Sequence, residues 1–248
     1  MVCRVFAGSP PNSGTDRYAP DARRTQVIHG DSMTKPRVLL ADDHRLVREG
    51  MRNLLAADYE IVAEAGDGRE LVRAAIEMRP DLIVADIGMP LLNGLEAVRK
   101  LKHLGCEAKI IVVTMHAGIE FAVQALRIGV LGYVLKVDAS EELARAITEA
   151  LAGRVYITPS IAKDVMTAVM ESPSPDSDEE PWQKLTARER EVLQLVAEGH
   201  TMPQIGEILR ISGRTVERHK YNLMDKLRLH TTAELTQFAI TRGLIEPN

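Results

Sequence analysis

The feature that most constrains the fold is a set of four short apolar runs, each followed at once by polar residues. The runs cover residues 38–41, 81–85, 110–113 and 132–135, and the residues that follow them are Asp42 with Asp43, Asp86, Thr114 and Lys136. Their β-branched and aliphatic centres are typical of buried strands. Helix-length segments separate them, which predicts a single parallel sheet whose strands all end at one edge. We therefore expect three carboxylates, a hydroxyl and an ammonium to meet at that edge.

The alternation predicts an α/β doubly wound domain of the flavodoxin-like kind with five parallel strands. The predicted strands are 37–41, 60–64, 82–86, 109–114 and 132–135, and the predicted helices are 44–57, 67–78, 93–104, 119–128 and 140–152. The connections between them are short, as α/β units require. Asp138 is expected to cap the last of these helices.

Composition along the chain predicts four regions. Residues 1–34 lack periodicity and are expected to be a disordered extension, and residues 36–152 form the α/β domain. Residues 153–182 are expected to be a linker with a helix at 160–171, and the Pro- and acid-rich stretch 172–181 within it is expected to be flexible. Residues 183–248 form the remaining domain, which the pattern predicts to be all helical.

The helical domain is delimited by capping signals. Thr186 with Glu189 and Thr231 with Glu234 are capping boxes, and Gly199 ends the first helix. A short helix at about 202–209, a tight turn capped by Ser212 and a longer helix to about residue 227 follow. A short helix, a turn and a longer basic helix are typical of a helix-turn-helix, in which the second helix enters the major groove of DNA.

The polar cluster at the sheet edge has a definite chemistry. Crowded carboxylates raise one another's pKa, and a divalent cation with oxygen ligands such as Mg²⁺ relieves the repulsion. A carboxylate beside Mg²⁺ can attack a phosphoryl group and form an aspartyl phosphate. An ammonium and a hydroxyl can stabilise the charge that spreads over the phosphoryl oxygens. Asp42, Asp43, Asp86, Thr114 and Lys136 supply these groups.

Five motifs in residues 37–152 resemble the receiver domain of bacterial response regulators. They are Leu39–His44, Asp86–Pro90, Leu92–Gly94, Thr114-Met115 and Gly132–Lys136. The resemblance implies that Asp86 is the phosphoacceptor and that Asp42, Asp43, Asp86 and the carbonyl of Gly88 hold Mg²⁺. It also implies that Thr114 and Lys136 grip the phosphoryl oxygens and that Tyr133 changes rotamer with Thr114. An ordinary core aromatic remains the alternative for Tyr133.

Residues 183–246 resemble the LuxR-type helix-turn-helix through Leu185–Leu193, Gly199, Ile205–Leu209, Ile211-Ser212, Thr215–His219 and Leu227. The whole chain is similar to the NarL/FixJ family of response regulators. The resemblance implies that Glu217, Arg218 and Tyr221 face the bases of double-stranded DNA. It implies that phosphates or the groove wall are approached by Arg214, Thr215, His219, Lys220 and Asn222. Its implied partners are a sensor histidine kinase as phosphodonor, a second copy of the chain when phosphorylated, and RNA polymerase.

Charge and composition agree with a regulator of nucleic-acid binding. The formal net charge is −4, yet residues 210–228 hold six basic side chains against two acidic ones. An acidic receiver is expected to shield this basic helix in the resting state. No apolar run reaches the ~20 residues of a membrane span. Residues 1–35 lack a secretory signal, and Cys3 and Cys106 are too few for a disulfide framework, so a cytoplasmic location is expected.

Two other functions fit parts of the pattern. Phosphatases that use an aspartate nucleophile form the same intermediate, but they need an acid two residues later, where this chain has Gly88. The chain is therefore not expected to be an enzyme. The other alternative is a phosphorylation-independent DNA-binding regulator whose receiver serves only for dimerisation or docking. The complete acidic pocket argues against it, because such a module has no need of crowded carboxylates.

Overall fold

The computed structural model describes residues 35–171, 182 and 184–245. We call residues 35–171 the α/β part and residues 184–245 the helical part. The expectations of a disordered extension at 1–34 and of a flexible stretch at 172–181 concern residues outside this description. Among the described residues, no helix combines the length and the apolar character that crossing a bilayer requires.

The α/β part contains one parallel sheet. Its strands are β1 (Arg37–Ala41), β2 (Glu60–Ala65), β3 (Leu82–Ala85), β4 (Lys109–Thr114), β5 (Gly132–Leu135) and β6 (Tyr156–Ile157), in the order β2-β1-β3-β4-β5-β6. β1 lies beside β3, with Ala41 opposite Ala85. The residues that follow these two strands are therefore neighbours in space, as the sequence predicted.

The sheet has six strands where the sequence predicted five. The additional strand β6 pairs with β5 through Gly132 opposite Tyr156 and Tyr133 opposite Ile157. Two residues are too few to show the alternation by which a strand is recognised in a sequence. The five predicted strands themselves are confirmed, with ends that differ by at most one residue.

Helices cover both faces of the sheet. They are α1 (Arg45–Leu55), α2 (Gly68–Met78), α3 (Gly94–His103), α4 (Ile119–Arg127), α5 (Ala139–Leu151) and α6 (Pro159–Glu171). Successive side chains of a strand point to opposite faces of the sheet. Leu39 therefore belongs to one core with α2, α3, α4 and α6, and Leu40 belongs to the other core with α1 and α5. This is the doubly wound arrangement that the alternation of strands and helices predicts.

The expected cap of α5 is wrong in its detail. Asp138 precedes α5, but its side chain forms no capping hydrogen bond. The reason is that residues Lys136–Asp138 form a 3₁₀ turn that runs directly into α5, so Asp138 has helical rather than extended backbone angles.

The helical part consists of α7 (Ala187–Ala197), α8 (Met202–Leu209), α9 (Gly213–Leu227) and α10 (Thr232–Thr241). The predicted capping boxes of α7 and α10 are both present, and Ser212 caps α9 by accepting a hydrogen bond from the N–H of Thr215. Its core is formed by buried aliphatic residues of all four helices and by Trp182. The predicted short helix, turn and longer helix are therefore confirmed.

Candidate functional site

The C-terminal edge of the sheet carries a buried polar cluster. Asp42 and Thr114 are fully buried, and Asp86 is 3% exposed. The N–H of Asp86 donates to the carbonyl of Ala41 at 2.8 Å, which continues the pairing of β1 with β3 beyond their last residues. The predicted convergence of Asp42, Asp86 and Thr114 at one edge is therefore seen in the structure.

Lys136 completes the cluster from the end of β5. Its ammonium lies 2.7 Å from Oδ2 of Asp42 and 2.7 Å from Oδ2 of Asp86, and its side chain is 11% exposed. Burial acts to lower the pKa of Lys136, but the two carboxylates outweigh it and the pKa lies above its ordinary value. The ammonium is thus held in its charged form between two carboxylates.

The environment of Asp86 opposes its negative charge. Burial raises the pKa of Asp86 above its ordinary value, the charge of Asp42 adds to the rise, and Lys136 opposes it. Oδ1 of Asp86 accepts a hydrogen bond from the N–H of Ile87 at 2.7 Å. Gly94 lets α3 begin close to this strand end, because a Cβ there would lie 1.9 Å from the carbonyl oxygen of Asp86.

The chemistry of the donor set fits a hard divalent cation. Ligand atoms of Asp42, Asp43 and His44 all lie within 4.8 Å of one another. Oδ1 of Asp42 already accepts from the N–H of His44 at 2.8 Å, whereas Asp43 is exposed and, among the described residues, forms an ion pair with the His44 ring alone, at 2.8 Å. Among the residues described here, none donates a hydrogen bond to the carbonyl of Gly88. Mg²⁺ prefers such carboxylate and carbonyl oxygens.

Thr114 and Tyr133 are joined through His116. The N–H of His116 donates to Oγ1 of Thr114 at 3.2 Å, and the hydroxyl of Tyr133 donates to the carbonyl of His116 at 2.7 Å. Tyr133 is fully buried, and this burial, together with the charge of Asp86, raises the pKa of its hydroxyl. A movement of Thr114 would therefore shift His116 and, through its carbonyl, the hydrogen bond of Tyr133.

The predicted DNA-contacting residues lie on α9, whose buried side is formed by Val216, Leu223 and Leu227. Among the three side chains predicted to face bases, Tyr221 is 74% exposed, and Glu217 and Arg218 are also exposed. Of the other five, Arg214 and Asn222 are exposed, and Thr215, His219 and Lys220 are half-buried.

The half-buried members of this set have partners within the helical part. Lys220 donates to the hydroxyl of Thr232 at 2.8 Å, and the hydroxyls of Thr215 and Ser212 lie 2.8 Å apart. Burial lowers the pKa of His219, and the charges of Arg188 and Arg218 lower it further, which favours the neutral ring.

The expected shielding of α9 is wrong for this arrangement. The outward side chains of α9 are exposed, and among the described residues no hydrogen bond or ion pair joins α9 to the α/β part. The contacts between the two parts are made by α7, the end of α8 and the residues that follow α10. Charge complementarity alone did not predict this, because it ignores which helix carries the matching polar side chains.

Sequence reasoning missed two groups of residues near the site. Arg48 donates to the carbonyl of Asp42 and pairs with Glu64, which fixes the end of β1. Gln194 of α7 and Glu198, the residue that follows this helix, bind the main chain that follows Asp86. No local pattern marks either group, because their partners are distant in the sequence.

The comparisons with known proteins agree with this geometry. Residues 38–148 match the response regulator receiver domain, and residues 183–239 match the bacterial regulatory proteins of the luxR family. The chain is 32% identical to the response regulator GacA of Pseudomonas aeruginosa over 212 residues, which are 85% of this chain and 98% of GacA. The chain therefore belongs to the NarL/FixJ family of response regulators.

Solved structures show the same fold. A LuxR-family two-component response regulator from Aurantimonas sp. is 39% identical, with a TM-score of 0.53, over 56% of this chain and all of that one. The response regulator RcsB in complex with DNA is 25% identical, with a TM-score of 0.51, over 83% of this chain and 98% of that one. The chain thus combines the receiver and LuxR-type DNA-binding regions of a two-component transcription regulator.

Proposed function

We propose that this protein accepts a phosphoryl group on Asp86, with Mg²⁺ bound, and thereby controls its own dimerisation and sequence-specific binding to DNA. One observation carries the proposal. Asp42 and Asp86, both buried, share the ammonium of Lys136 at 2.7 Å from each carboxylate, at the sheet edge where parallel α/β folds bind ligands. A buried cluster of this kind has no evident structural use, since buried ion pairs contribute little to stability.

The proposed reaction is an in-line transfer. A carboxylate oxygen of Asp86 attacks the phosphorus of a phosphohistidine, the new P–O bond forms, and the P–N bond breaks. The imidazole nitrogen of the kinase keeps the electron pair of the broken bond and takes up a proton. Lys136 and the hydroxyl of Thr114 then contact the phosphoryl oxygens, and Tyr133 follows Thr114 through His116.

Asp42, Asp43, Asp86 and the carbonyl of Gly88 would hold the Mg²⁺. When bound there, the ion would neutralise the charge that the carboxylates and the phosphoryl group bring together. Asp43 is the carboxylate with the fewest competing contacts, because Asp42 is already bonded to the N–H of His44 and paired with Lys136. We therefore assign Asp43 the larger share of metal binding.

The helical part would read DNA through the exposed side of α9. Arg218 can form two hydrogen bonds with guanine, and Glu217 can accept one from cytosine. The exposed aromatic ring of Tyr221 lies on the same side. Phosphate or groove-wall contacts would come from Arg214, Thr215, His219, Lys220 and Asn222. Two copies joined as a dimer would face half-sites about one helical turn, ~34 Å, apart.

The proposal includes a division of the chain and a set of partners. Residues 36–152 would act as the receiver, residues 153–182 as the linker and residues 183–248 as the DNA-binding domain. A sensor histidine kinase would be the phosphodonor, and RNA polymerase would be a partner at the promoter. The contact of α7 with the α/β part also fits the alternative of a docking module that functions without phosphorylation.

One experiment separates these functions. The full-length protein is incubated with Mg²⁺ and phosphoramidate, a small phosphodonor, and its intact mass is measured. We expect the mass of one phosphoryl group to be added to the wild-type protein and none to Asp86→Asn, which is nearly isosteric. Equal far-ultraviolet circular dichroism of the two proteins controls for folding. Modification of Asp86→Asn at the wild-type rate would rule out the assignment, and an unmodified wild type would favour the docking module.

A further inference from the structure

The helical part holds the chain segment that follows Asp86. The side-chain amide of Gln194, on α7, donates to the carbonyl of Met89 at 2.9 Å. Its oxygen accepts from the N–H of Asn93 at 2.6 Å. A single side chain thus binds both ends of the segment from Met89 to Asn93, and Gln194 is 1% exposed.

Glu198 binds the middle of the same segment. Its carboxylate accepts from the N–H of Leu91 at 3.0 Å and from the amide of Gln194 at 2.7 Å. Leu91 has a φ of 64°, a left-handed conformation that is strained for a residue with a side chain. Its side chain packs against the hydrophobic core of the helical part. The segment is therefore a built element of the contact between the two parts.

Gly243, two residues after the end of α10, contacts the other segment that borders the site. The carbonyl of Gly243 accepts from the side-chain amide of Asn93 at 3.2 Å. A Cβ at Gly243 would lie 2.6 Å from Cζ of Phe121 and 3.3 Å from Cε1 of His116. His116 is bonded to Thr114, so the helical part contacts both segments that follow the phosphoacceptor edge.

Ion pairs flank these hydrogen bonds. Arg190 of α7 lies 2.9 Å from Glu96 of α3. Arg69 of α2 donates to the carbonyl of Ile208 at 2.9 Å and lies 3.5 Å from Glu191. The contact therefore has side-chain partners on α2 and α3 as well as along the segment from Met89 to Asn93.

We propose that Gln194 and Glu198 are positioning residues for Asp86, which hold the Met89–Asn93 segment in the arrangement seen here and thereby oppose uptake of a phosphoryl group. The inference rests on the proposed function of Asp86. It differs from shielding of the DNA-reading surface, because α9 stays exposed while α7 is bound.

The physical basis of the inference is a shared segment. The main chain between Asp86 and Asn93 includes Gly88, whose carbonyl we assign as a metal ligand. Main-chain groups of the same segment form the hydrogen bonds with Gln194 and Glu198. Thr114 donates no contact to Asp86 here and is instead bonded to His116, which packs near Gly243. A phosphoryl group that draws Thr114 and Gly88 toward Asp86 therefore displaces atoms that α7 and Gly243 hold.

Such opposition must be reciprocal. If release of α7 raises the affinity of Asp86 for a phosphoryl group, occupation of Asp86 must weaken the α7 contact by the same factor. Coupling between two sites commonly amounts to about 5- to 150-fold in affinity. The affinity of Asp86 for a phosphoryl group and the strength of the α7 contact can therefore each be measured.

The first test uses full-length Gln194→Ala with Mg²⁺ and beryllium trifluoride, a stable analogue of the phosphoryl group. Amide hydrogen exchange at Leu91 and Asn93, measured by NMR, reports the contact directly, because these N–H groups are bonded to Glu198 and Gln194. We expect faster exchange at both amides and at least about fivefold tighter binding of the analogue. Gln204→Ala is the matched control, since Gln204 is exposed on α8 and bonds only its own cap residue Thr201.

A second pair of variants reaches the contact from another residue. Gly243→Ala places a Cβ against Phe121 and His116, whereas Gly199→Ala places one where no atom lies within 4 Å. Both glycines have positive φ, 59° and 86°, so the backbone strain is similar and only the contact differs. We expect Gly243→Ala to behave like Gln194→Ala and Gly199→Ala to behave like the wild type.

The outcomes separate the inference from the proposed function. Faster exchange together with tighter analogue binding in Gln194→Ala supports the inference. Faster exchange with unchanged affinity, or unchanged exchange, overturns it while the function of Asp86 stands. If the wild-type protein binds the analogue no better than Asp86→Asn does, the proposed function itself fails, and the inference fails with it.

Discussion

The sheet edge and the outer side of α9 are both polar, but they differ in the burial of their side chains and in the partners of those side chains. At the sheet edge, Asp42 and Asp86 are buried and share the ammonium of Lys136 within the protein. On α9, Glu217, Arg218 and Tyr221 are exposed, and no hydrogen bond or ion pair joins them to the described residues of the α/β part. At the sheet edge, contacts within the protein thus fix the positions of the side chains. On the exposed side of α9, a bound partner would have to fix them. Changes at the two places should therefore affect different quantities.

The largest effect is expected from removal of Mg²⁺, which should abolish phosphotransfer to Asp86 altogether. Asp43→Ala should weaken metal binding more than Asp42→Ala, because Asp43 is exposed and, in the part of the chain that the structure describes, pairs with His44 alone. Titration of each variant with Mg²⁺, followed by intrinsic fluorescence or calorimetry, measures the affinities. Equal affinities in the wild type and both variants would remove the proposed metal site from the comparison.

The next effect is on stability. Lys136→Met should lower the free energy of unfolding by about 3–5 kcal/mol, because two buried carboxylates lose their counter-charge. Arg218→Ala, on exposed α9, should change the same quantity by no more than about 0.5 kcal/mol. Urea unfolding of both variants measures the difference. Addition of Mg²⁺, or the further change Asp86→Asn, should restore part of the loss in Lys136→Met, and a loss no larger than that of Arg218→Ala would contradict the role of the ammonium.

For DNA affinity, substitutions on α9 should have larger effects than they have on stability. Arg218→Ala should weaken binding to a duplex selected by the wild-type protein from a random pool by about 1–3 kcal/mol and relax the preference at one base pair. Lys220→Ala should weaken binding to all sequences alike and reduce the dependence on salt, because a phosphate contact carries no sequence information. Fluorescence anisotropy at several salt concentrations distinguishes the two. A uniform loss in Arg218→Ala would show that α9 does not read bases through this residue.

The smallest effects concern Glu189 of α7 and Glu198, the residue that follows this helix. Burial acts to raise the pKa of Glu189, but hydrogen bonds from Lys226 and Thr186 outweigh it, and the pKa is lowered. Burial raises the pKa of Glu198 above its ordinary value, although Gln194 and Leu91 donate hydrogen bonds to it. Stability from Glu189 is therefore present above its ordinary pKa and is lost as the pH falls through the lowered value. Stability from Glu198 is present below its ordinary pKa and is lost as the pH rises through the raised value.

This contrast gives opposite expectations for matched substitutions within and directly after one helix. At neutral pH, Glu189→Gln should lower the free energy of unfolding and Glu198→Gln should raise it, each by less than about 1 kcal/mol. NMR titration of the two carboxyl carbons, with thermal unfolding of the variants, measures both signs. The same sign of change for both variants would contradict the two environments described for α7.

The sequence was most informative where the fold alone brings residues together. Asp42, Asp86, Thr114 and Lys136 each lie at the end of a strand of one parallel sheet or directly after it, so their meeting was predictable from strand ends without knowledge of side-chain packing. The helices of the helical part were also predictable, since caps such as Thr186 are local signals.

Features that depend on distant partners were not predictable. Gln194 reads as one polar residue of an ordinary helix, yet it is buried against main-chain groups about a hundred positions earlier. β6 is too short to carry a pattern, and the cap expected at Asp138 is replaced by a turn that begins at Lys136. The roles of the α9 side chains stay predictions, because an exposed helix face has no internal geometry against which to test them.

The position of Lys136 has a consequence for the life of the protein before it meets any ligand. Because its ammonium lies between Asp42 and Asp86, the chain carries its own counter-ion in the place where charges would otherwise repel. We therefore expect that a newly made chain folds without divalent cations, unlike proteins whose core forms only around a metal. The proposed response to cations and phosphoryl donors would then follow folding rather than accompany it.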